Sequence, residues 1–311
     1  MKKWNYCFEV PDKKRIRMIV HTDCKNEADD QFALAHHLMT PKFIVTGIIA
    51  GHFDGAGKMK GIEDTAQASL EEVNKVLDLM EIDGERNVYK GASKPLVDEF
   101  TPQDSLGARY IIEEAMKEDP HPLFIGCQGS LTDLASAILL EPKICERMTA
   151  IWIGGGIYPD GGDEFNMQMD IAAVNVVMKS KMPLWQVPKN VYKQVAVSLA
   201  ELEYKVGSCG TFGEYLVKQM VELNDQLGKM DFHWPQGEIW GLGDSPTVGL
   251  LLAETERTDM YDMVSAPLVD YDTLKYIHNQ NNREIRVYKD ANARLTLEDF
   301  FSKMALNFKN K

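Results

Sequence analysis

Four short apolar runs are each followed by a segment with helical periodicity. The runs are RIRMIV, FIVTGIIAG, LFIGC and TAIWIGGG, and the helical patterns after them span residues 29–39, 62–80, 131–140 and 170–180. Such alternation is typical of parallel strands joined by crossover helices, and strands of nearly continuous apolar character are expected to be covered on both faces. The pattern predicts an α/β fold with an open, mostly parallel central sheet, Rossmann-like, with helices on both faces.

The rest of the chain extends this pattern without dividing it. The 311 residues contain no internal repeat and no low-complexity linker, so we predict a single α/β domain over residues 1–311. Residues 198–235 are more polar and helical in pattern, which predicts a mainly helical insertion packed beside the ligand edge of the sheet. The stretch REIRVYKDANARLTLEDFFSKMAL predicts a last strand and a closing helix.

Composition excludes several classes of partner. The 34 Lys and Arg residues against 47 Asp and Glu residues give a net charge of −13, which disfavours a nucleic acid or an acidic membrane surface and favours a small ligand. No apolar stretch reaches the roughly 18 residues of a membrane span, and the N-terminus lacks the apolar core of a signal peptide, so we expect a cytoplasmic location. The five cysteines are odd in number and form no CxxC pair, which predicts reduced thiols.

Polar clusters follow the predicted strands one after another. Residues 23–30 follow the first strand, residues 51–52 the second, residues 127–129 a later one, and residues 163–166 follow TAIWIGGG. Ligands of open parallel sheets bind beyond the carboxyl ends of the strands. We therefore expect these clusters to converge at one edge of the sheet and to form the functional site.

The acidic residues of the first cluster require a counter-charge if they converge. Two carboxylates about 4 Å apart repel by roughly 4 kcal/mol at an effective dielectric near 20, so several at one point need protonation, separation or a cation. Oxygen ligands favour calcium or magnesium, and carboxylates combined with a carbonyl and waters suit calcium. A structural alternative is that Asp29 and Asp30 complement a helix dipole while Asp23 forms a turn. His21 and Cys24 lack a second pair that would complete a zinc site.

Six segments resemble, in order, the landmarks of the inosine-uridine-preferring nucleoside hydrolases. They are HTDCKNEADD, TGIIAGHF, VYKGASKPL, GCQGSLTDLASA, GGDEFNMQMD and WGLGDSP, and the resemblance spans roughly residues 16–255. It implies a nucleoside-hydrolase-type fold and hydrolysis of the N-glycosidic bond of a ribonucleoside or related N-ribosyl compound, which releases base and ribose. It further implies one Ca²⁺ ion that contacts the ribose diol and the attacking water, and assembly as a homodimer or homotetramer.

The resemblance also implies a metal-binding and catalytic set. Asp23 matches the family aspartate that acts as a calcium ligand and as the general base. Asp30 and Asp244 match further carboxylate ligands of calcium, and Gln128 falls where the family lends a backbone carbonyl to the ion. Asp29 matches the residue that holds a ribose hydroxyl.

The implied substrate contacts come from other loops. Glu164 and Asn166 match residues that hydrogen-bond the sugar hydroxyls, and His52 stands at the position of a ribose-binding asparagine. The loop between Asp23 and Asp29 has five residues where the family motif has three, so Asn26 or Glu27 could reach the metal or the sugar. His52 could instead cap a turn, and the tryptophans could be core residues. The candidates beside the leaving base are His233, Trp234, Glu238, Trp240, Tyr158 and Phe53, of which Trp240 is our predicted substrate contact.

Two departures from the family pattern leave alternatives open. His21 replaces the first aspartate of the motif, and Gly243 stands before Asp244 where purine-accepting members carry a histidine proposed to protonate the leaving base. The general acid is therefore unassigned. A non-catalytic protein that binds a ribosyl metabolite and keeps the metal site is the alternative. A metal-dependent phosphohydrolase is disfavoured because no lysine or arginine is evident near the clusters.

Overall fold

A computed structural model describes residues 3–54, 62–82, 87–230, 234–235, 237–253 and 257–309. The strands are β1 Ile16–Thr22, β2 Phe43–Ala50, β3 Val88–Lys90, β4 Leu123–Cys127, β5 Met148–Ile153, β6 Leu184–Val187, β7 Ala196–Ser198, β8 Ile239–Gly241, β9 Tyr261–Ser265, β10 Leu268–Val269, β11 Tyr276–Ile277 and β12 Glu284–Tyr288.

The α-helices are α1 Asp30–Leu38, α2 Thr65–Leu79, α3 Leu106–Met116, α4 Thr132–Leu140, α5 Phe165–Met169, α6 Ile171–Lys179, α7 Lys189–Tyr192, α8 Leu199–Leu202, α9 Gly210–Leu227, α10 Pro246–Leu252 and α11 Ala293–Phe308. Short 3₁₀ turns lie at Asp12–Lys14, Pro142–Glu146 and Thr258–Met260, and a π-helical turn lies at Glu203–Gly207.

The main sheet has eight strands in the order β3-β2-β1-β4-β5-β6-β12-β9. Neighbouring strands run parallel except β12 and β9, which form an antiparallel edge. From β1 the chain passes to β2 and β3 on one side of the sheet, whereas from β4 it passes to β5 and β6 on the other side. The boundary between β1 and β4 is thus a topological switch point, where open sheets of this kind bind ligands. The predicted mostly parallel α/β fold is confirmed.

Side chains of the central strands alternate between two apolar cores. All seven residues of β1 are buried, with Met18 and Val20 in one core and Ile19 in the other. The first core is completed by α1, α2, α9, α10 and α11, and the second by α3, α4 and α6. Because successive strand side chains point to opposite faces, a strand that is apolar throughout needs helices on both sides, which is what the sheet has.

The four apolar runs correspond to β1, β2, β4 and β5, and the closing strand and helix correspond to β12 and α11. The polar stretch after residue 198 is helical in α8, the π-helical turn and α9, and its organisation with the sheet as one domain stays a prediction. Strands β3 and β6 escaped the sequence analysis because three and four residues are too few for a periodic signal. Within the described ranges, no helix is long and apolar enough to cross a membrane.

Candidate functional site

The first acidic cluster lies in the loop that joins β1 to α1. Residues 23–29 cross the carboxyl edge of the sheet, and the loop is tied to α9 by the Gln219 side-chain amide, which donates to the Ala28 carbonyl at 2.7 Å. Asp29 precedes α1 but makes no side-chain capping bond to that helix. Its Oδ2 instead accepts from the main-chain N–H of Asp244 at 3.2 Å. The carboxylate of Asp29 therefore joins two distant parts of the chain instead of serving its own helix.

Three carboxylates meet where these segments join. Single carboxylate oxygens of Asp29, Asp30 and Asp244 all lie within 4.8 Å of one another, and all three residues are buried. The Oδ1 atom of Asp30 accepts from the Thr22 hydroxyl and from the main-chain N–H of Asp23 at 3.2 Å. This spacing is compatible with a shared cation, since one ion can contact an oxygen from each side chain.

Asp23 lies beside this group, and its side chain fits there because Gly129 has no side chain. Its side chain is buried, and a Cβ added to Gly129 would come within 2.6 Å of the Asp23 carboxyl carbon. Real Cβ atoms essentially never approach that closely, so residue 129 has to be glycine for Asp23 to keep this position. The loop after β4 therefore shapes the site through its backbone.

A cavity of about 50 Å³ lies among these groups. Eight of the ten residues predicted for the site line it, and Glu27 lines it as well. The eight are Asp23, Asn26, Asp29, Asp30, Gln128, Glu164, Asn166 and Asp244. The polar clusters that follow β1, β4 and β5 thus converge at one edge of the sheet, as their positions after the strands suggested.

Glu164 and Asn166 form the wall after β5. Glu164 precedes α5 and accepts from the main-chain N–H groups of Gly155, Asn166 and Met167 at 2.8, 3.1 and 2.8 Å. The Asn166 side-chain amide donates to the main-chain carbonyl of Gln128 at 3.1 Å. The carbonyl expected to serve as a calcium ligand therefore lines the cavity beside a residue expected to contact the sugar.

His52 and Trp240 do not line the cavity in the described part of the chain. His52 is fully buried, and its Nε2 lies 2.7 Å from the Thr132 hydroxyl and 3.2 Å from the Ser130 hydroxyl. Trp240 is 1% exposed, and its ring centroid lies 4.8 Å from that of Trp234. The structure thus gives both side chains packing partners in place of the predicted substrate contacts.

The other candidates beside the leaving base are also absent from the lining described for this cavity. Phe53 is buried in the protein, Tyr158 packs edge-on against His278, and Glu238 is exposed. His233 lies outside the described residues. Among the candidates that the structure describes, none supplies the unassigned general acid from observed geometry.

Burial and mutual repulsion make the acidic cluster electrostatically unfavourable without a counter-charge. Burial, followed by repulsion from neighbouring carboxylates, raises the pKa of Asp23, Asp29 and Asp244 well above the ordinary value. Burial and the charge of Asp30 raise the pKa of Glu27 to about 7, and burial raises the pKa of Asp30 itself to about 6. A divalent cation would remove this penalty by favouring the charged carboxylates.

The available ligands fit a hard divalent cation. The acidic groups and the Gln128 main-chain carbonyl offer oxygen atoms only, which is the ligand set that calcium and magnesium prefer. The side-chain oxygen Oε1 of Gln128 is also buried and makes no hydrogen bond among the described residues. Both the chemistry of the donors and this unsatisfied oxygen are therefore compatible with a bound ion.

Tyr192 also lines the cavity, and the sequence analysis did not predict it. Its hydroxyl donates to Glu164 Oε1 at 3.0 Å, and a Cβ added to Gly243 would lie 3.1 Å from Tyr192 Cδ2. Burial and the adjacent Glu164 charge raise the pKa of Tyr192 far above neutral, so the hydroxyl keeps its proton and acts as a donor. Tyr192 is the last residue of α7, which follows the short strand β6. Recognition of β6 in the sequence would have predicted that the residues after it lie at the ligand edge of the sheet.

The fold and the cavity define an α/β protein with an acidic ligand site at the switch point of a parallel sheet. Comparison with known proteins identifies it further. Residues 18–296 match the family model described as inosine-uridine preferring nucleoside hydrolase. The chain belongs to this family, which confirms the predicted membership and the predicted class of enzyme, an N-ribosyl hydrolase.

Individual relatives are distant. The pyrimidine-specific ribonucleoside hydrolase RihA of Salmonella paratyphi A is 24% identical over 250 residues, which cover 72% of this chain and 74% of the relative. The inosine-uridine preferring nucleoside hydrolase of Crithidia fasciculata is 30% identical over 123 residues, 37% of this chain and 36% of the relative. The solved structure of a purine-preferring ribonucleoside hydrolase from Gardnerella vaginalis has a TM-score of 0.71 at 16% identity and covers 93% of this chain and 98% of its own. Structural likeness at that identity supports the fold alone.

Proposed function

We propose that this chain hydrolyses the N-glycosidic bond of a ribonucleoside or a related N-ribosyl compound with the help of Ca²⁺, releasing base and ribose. The observation that carries the proposal is the convergence of six carboxylates in one cavity at the switch point of the sheet. They belong to Asp23, Glu27, Asp29, Asp30, Glu164 and Asp244. Such a concentration of negative charge suits a cation and a substrate that develops positive charge during the reaction.

Asp23, Asp30, Asp244 and the Gln128 main-chain carbonyl would hold the ion. A bound Ca²⁺ supplies a positive charge that attracts water and hydroxyl oxygens and favours the loss of a proton from water. The close approach of the Asp29, Asp30 and Asp244 carboxylates supports this assignment for two of the ligands, and leaves Asp29 beside them to accept a hydrogen bond from a ribose hydroxyl.

The remaining steps are performed by side chains. Asp23 takes the proton of the attacking water as general base, a role that typically contributes about 10² to 10⁴ in rate. Glu164 accepts from a sugar hydroxyl, and the side-chain oxygen of Asn166 accepts from another, because the Asn166 amide N–H groups donate to the Gln128 and Ile153 carbonyls. These contacts orient the ribose for attack. The negative charge of the cavity stabilises the oxocarbenium-like transition state. The loop that carries Asn26 extends this wall, and Asn26 provides a further polar contact.

A reducing-sugar assay across purine and pyrimidine nucleosides tests the reaction and the metal together. We expect hydrolysis of at least one nucleoside, loss of activity in a chelator and recovery with Ca²⁺. Asp23→Asn and Asp30→Asn should lose activity, whereas Asp98→Asn, a change at an exposed position outside the cavity, should retain it. Activity that survives both the chelator and the Asp23→Asn and Asp30→Asn changes would contradict the proposal.

A second candidate is a non-catalytic protein that binds a ribosyl metabolite through the same metal site. Gly243 favours it, because this position offers no side chain to protonate a leaving base and Tyr192 packs against it. Calorimetric binding of nucleoside in the presence of Ca²⁺, with no reducing sugar released during long incubation, would support this candidate over the enzyme.

The proposal includes an oligomeric state, which rests on the family resemblance, and a cellular location, which rests on the sequence pattern. We expect a homodimer or homotetramer, which light scattering of the purified protein measures directly. We also expect a cytoplasmic location, which fractionation of the source cells with an antibody to this chain would test. A monomer in solution would contradict the first expectation without affecting the assignment of the cavity.

A further inference from the structure

Tyr192 donates a hydrogen bond to Glu164, the carboxylate that is expected to accept from a hydroxyl of the bound sugar. Its hydroxyl donates to Glu164 Oε1 at 3.0 Å, inside the cavity. Glu164 receives three further hydrogen bonds, all from main-chain N–H groups that belong to the first turn of α5 and to Gly155. Tyr192 is therefore the only side-chain donor to Glu164 among the hydrogen bonds of the described residues.

The main chain around Tyr192 explains why the ring lies here. Strand β7, which begins four residues after Tyr192, pairs antiparallel with β8, and the Leu242 N–H donates to the Val195 carbonyl at 2.8 Å. These bonds draw the chain after Tyr192 against the chain that leads to Gly243. A Cβ at residue 243 would approach Tyr192 Cδ2 to 3.1 Å and Asp29 Oδ2 to 3.5 Å, so the absence of a side chain at Gly243 lets the ring settle there.

With the ring in this position the cavity is too small for a nucleoside. Its volume is about 50 Å³. That is room for a few water molecules at roughly 10–15 Å³ each, whereas pockets that bind small molecules measure roughly 300–1,000 Å³. Movement of a lining side chain would enlarge the cavity toward that range. Tyr192 is only half-buried, and rotation about its side-chain bonds would leave the main-chain hydrogen bonds of β7 and β8 intact.

We propose that Tyr192 gates this cavity: its hydroxyl takes the place of a sugar hydroxyl on Glu164, and the ring swings away from Glu164 and Gly243 when a ribosyl ligand binds. This inference rests on the proposed binding of an N-ribosyl compound at the same site. Tyr192 is a positioning residue in this account, because it controls access to Glu164 and takes no part in bond cleavage. The free protein thereby keeps the Glu164 carboxylate hydrogen-bonded until the ligand replaces the phenol.

The test compares Tyr192→Phe with wild type in calorimetric titrations with D-ribose at saturating Ca²⁺. The variant keeps the ring and leaves Glu164 its three main-chain donors, so α5 retains its N-terminal cap. Removal of the competing hydroxyl should tighten ribose binding about 10- to 150-fold, the range expected for one hydrogen bond to a carboxylate. In nucleoside hydrolysis, KM should fall by a similar factor while kcat changes less than about threefold.

Tyr271→Phe is the matched control. The Tyr271 hydroxyl donates to Glu99 Oε1 at 3.0 Å, the same donor, acceptor type and distance, but neither residue lines the cavity. This variant should leave ribose affinity unchanged. Tyr192→Leu is a second test variant that removes both the hydroxyl and the ring, and it should also bind ribose more tightly than wild type. Thermal melts establish that each variant is folded.

The outcomes separate this inference from the proposed reaction. If wild type hydrolyses nucleosides but Tyr192→Phe and Tyr192→Leu bind ribose no more tightly than wild type, the gate is wrong and the reaction stands. If wild type releases no sugar but both variants gain ribose affinity, the gate stands and the reaction is wrong. If wild type and variants bind neither ribose nor nucleoside, both proposals are overturned.

Discussion

When divalent cations are absent, the free energy of unfolding should fall as the pH rises from 5 to 8. Burial raises the pKa of Asp30 from 3.8 to about 6. A carboxyl group with a higher pKa in the folded than in the unfolded chain contributes stability that is complete below the unfolded pKa and is lost as the pH rises through the folded pKa. The whole shift corresponds to about 3 kcal/mol, and about half of it is lost between pH 5 and pH 8. Glu27, with its pKa raised to about 7, adds to this loss in the same direction.

Urea denaturation in a chelator at the two pH values measures the effect. Asp30→Asn cannot lose a proton at this position. Its unfolding free energy should therefore fall less between pH 5 and pH 8 than that of wild type, by about 1 kcal/mol or more. Added Ca²⁺ should restore wild type at pH 8, by about 4 kcal/mol at 1,000 times the dissociation constant, and should stabilise the variant less because it lacks one carboxylate ligand. The restoration should be smaller at pH 5, because protons compete with the ion for the carboxylates.

A second buried carboxylate provides the control. Glu114 is 3% exposed and lies 3.0 Å from the Arg17 guanidinium, outside the cavity. Glu114→Gln should destabilise the protein at both pH values, because it removes the buried carboxylate that pairs with Arg17, and should keep the full response to Ca²⁺. Equal pH dependence in wild type and Asp30→Asn, or an equal response of both to Ca²⁺, would refute the reasoning about the acidic cluster.

Further predictions concern individual side chains. Asp23→Asn should lower kcat/KM for nucleosides by about 10² to 10⁴, and a loss below threefold in the reducing-sugar assay would remove Asp23 as the general base. Asp244→Asn should weaken Ca²⁺ binding at least about tenfold by calorimetry, since it removes one carboxylate ligand; an unchanged affinity would locate the ion elsewhere. His52→Ala should lower stability by about 1–3 kcal/mol through its lost hydrogen bond to Thr132, with KM unchanged, so a large rise in KM without destabilisation would return His52 to the substrate site.

The parts of the fold and site that the sequence predicted depend on local rules. Long apolar runs identified β1, β2, β4 and β5, and the direction of parallel strands then put the residues that follow them at one edge. The loop residues Asp23 and Glu164 could be brought together on this reasoning alone. Asp244 follows none of these strands, and only the family resemblance connected it with the first cluster.

The parts that escaped prediction depend on side-chain direction and on contacts between distant segments. His52 follows β2 at the correct edge, but its ring points to Thr132 at the start of α4, and no periodicity specifies that direction. Trp240 packs against Trp234, and the sequence alone does not indicate whether a tryptophan lies in the core or in a cavity. Tyr192 reaches the cavity through pairing of β7 with β8, two three-residue strands that are too short to recognise in the sequence.

The central claim is that carboxylates from separate parts of the chain surround one divalent cation that contacts a ribosyl ligand. Anomalous X-ray diffraction from crystals grown with Ca²⁺ and ribose tests it most directly. The account predicts one ion peak about 2.3–2.6 Å from oxygens of Asp23, Asp30 and Asp244, with ribose hydroxyls on the same ion. An ion or a ribose bound at another place, with this cavity containing water alone, would contradict it.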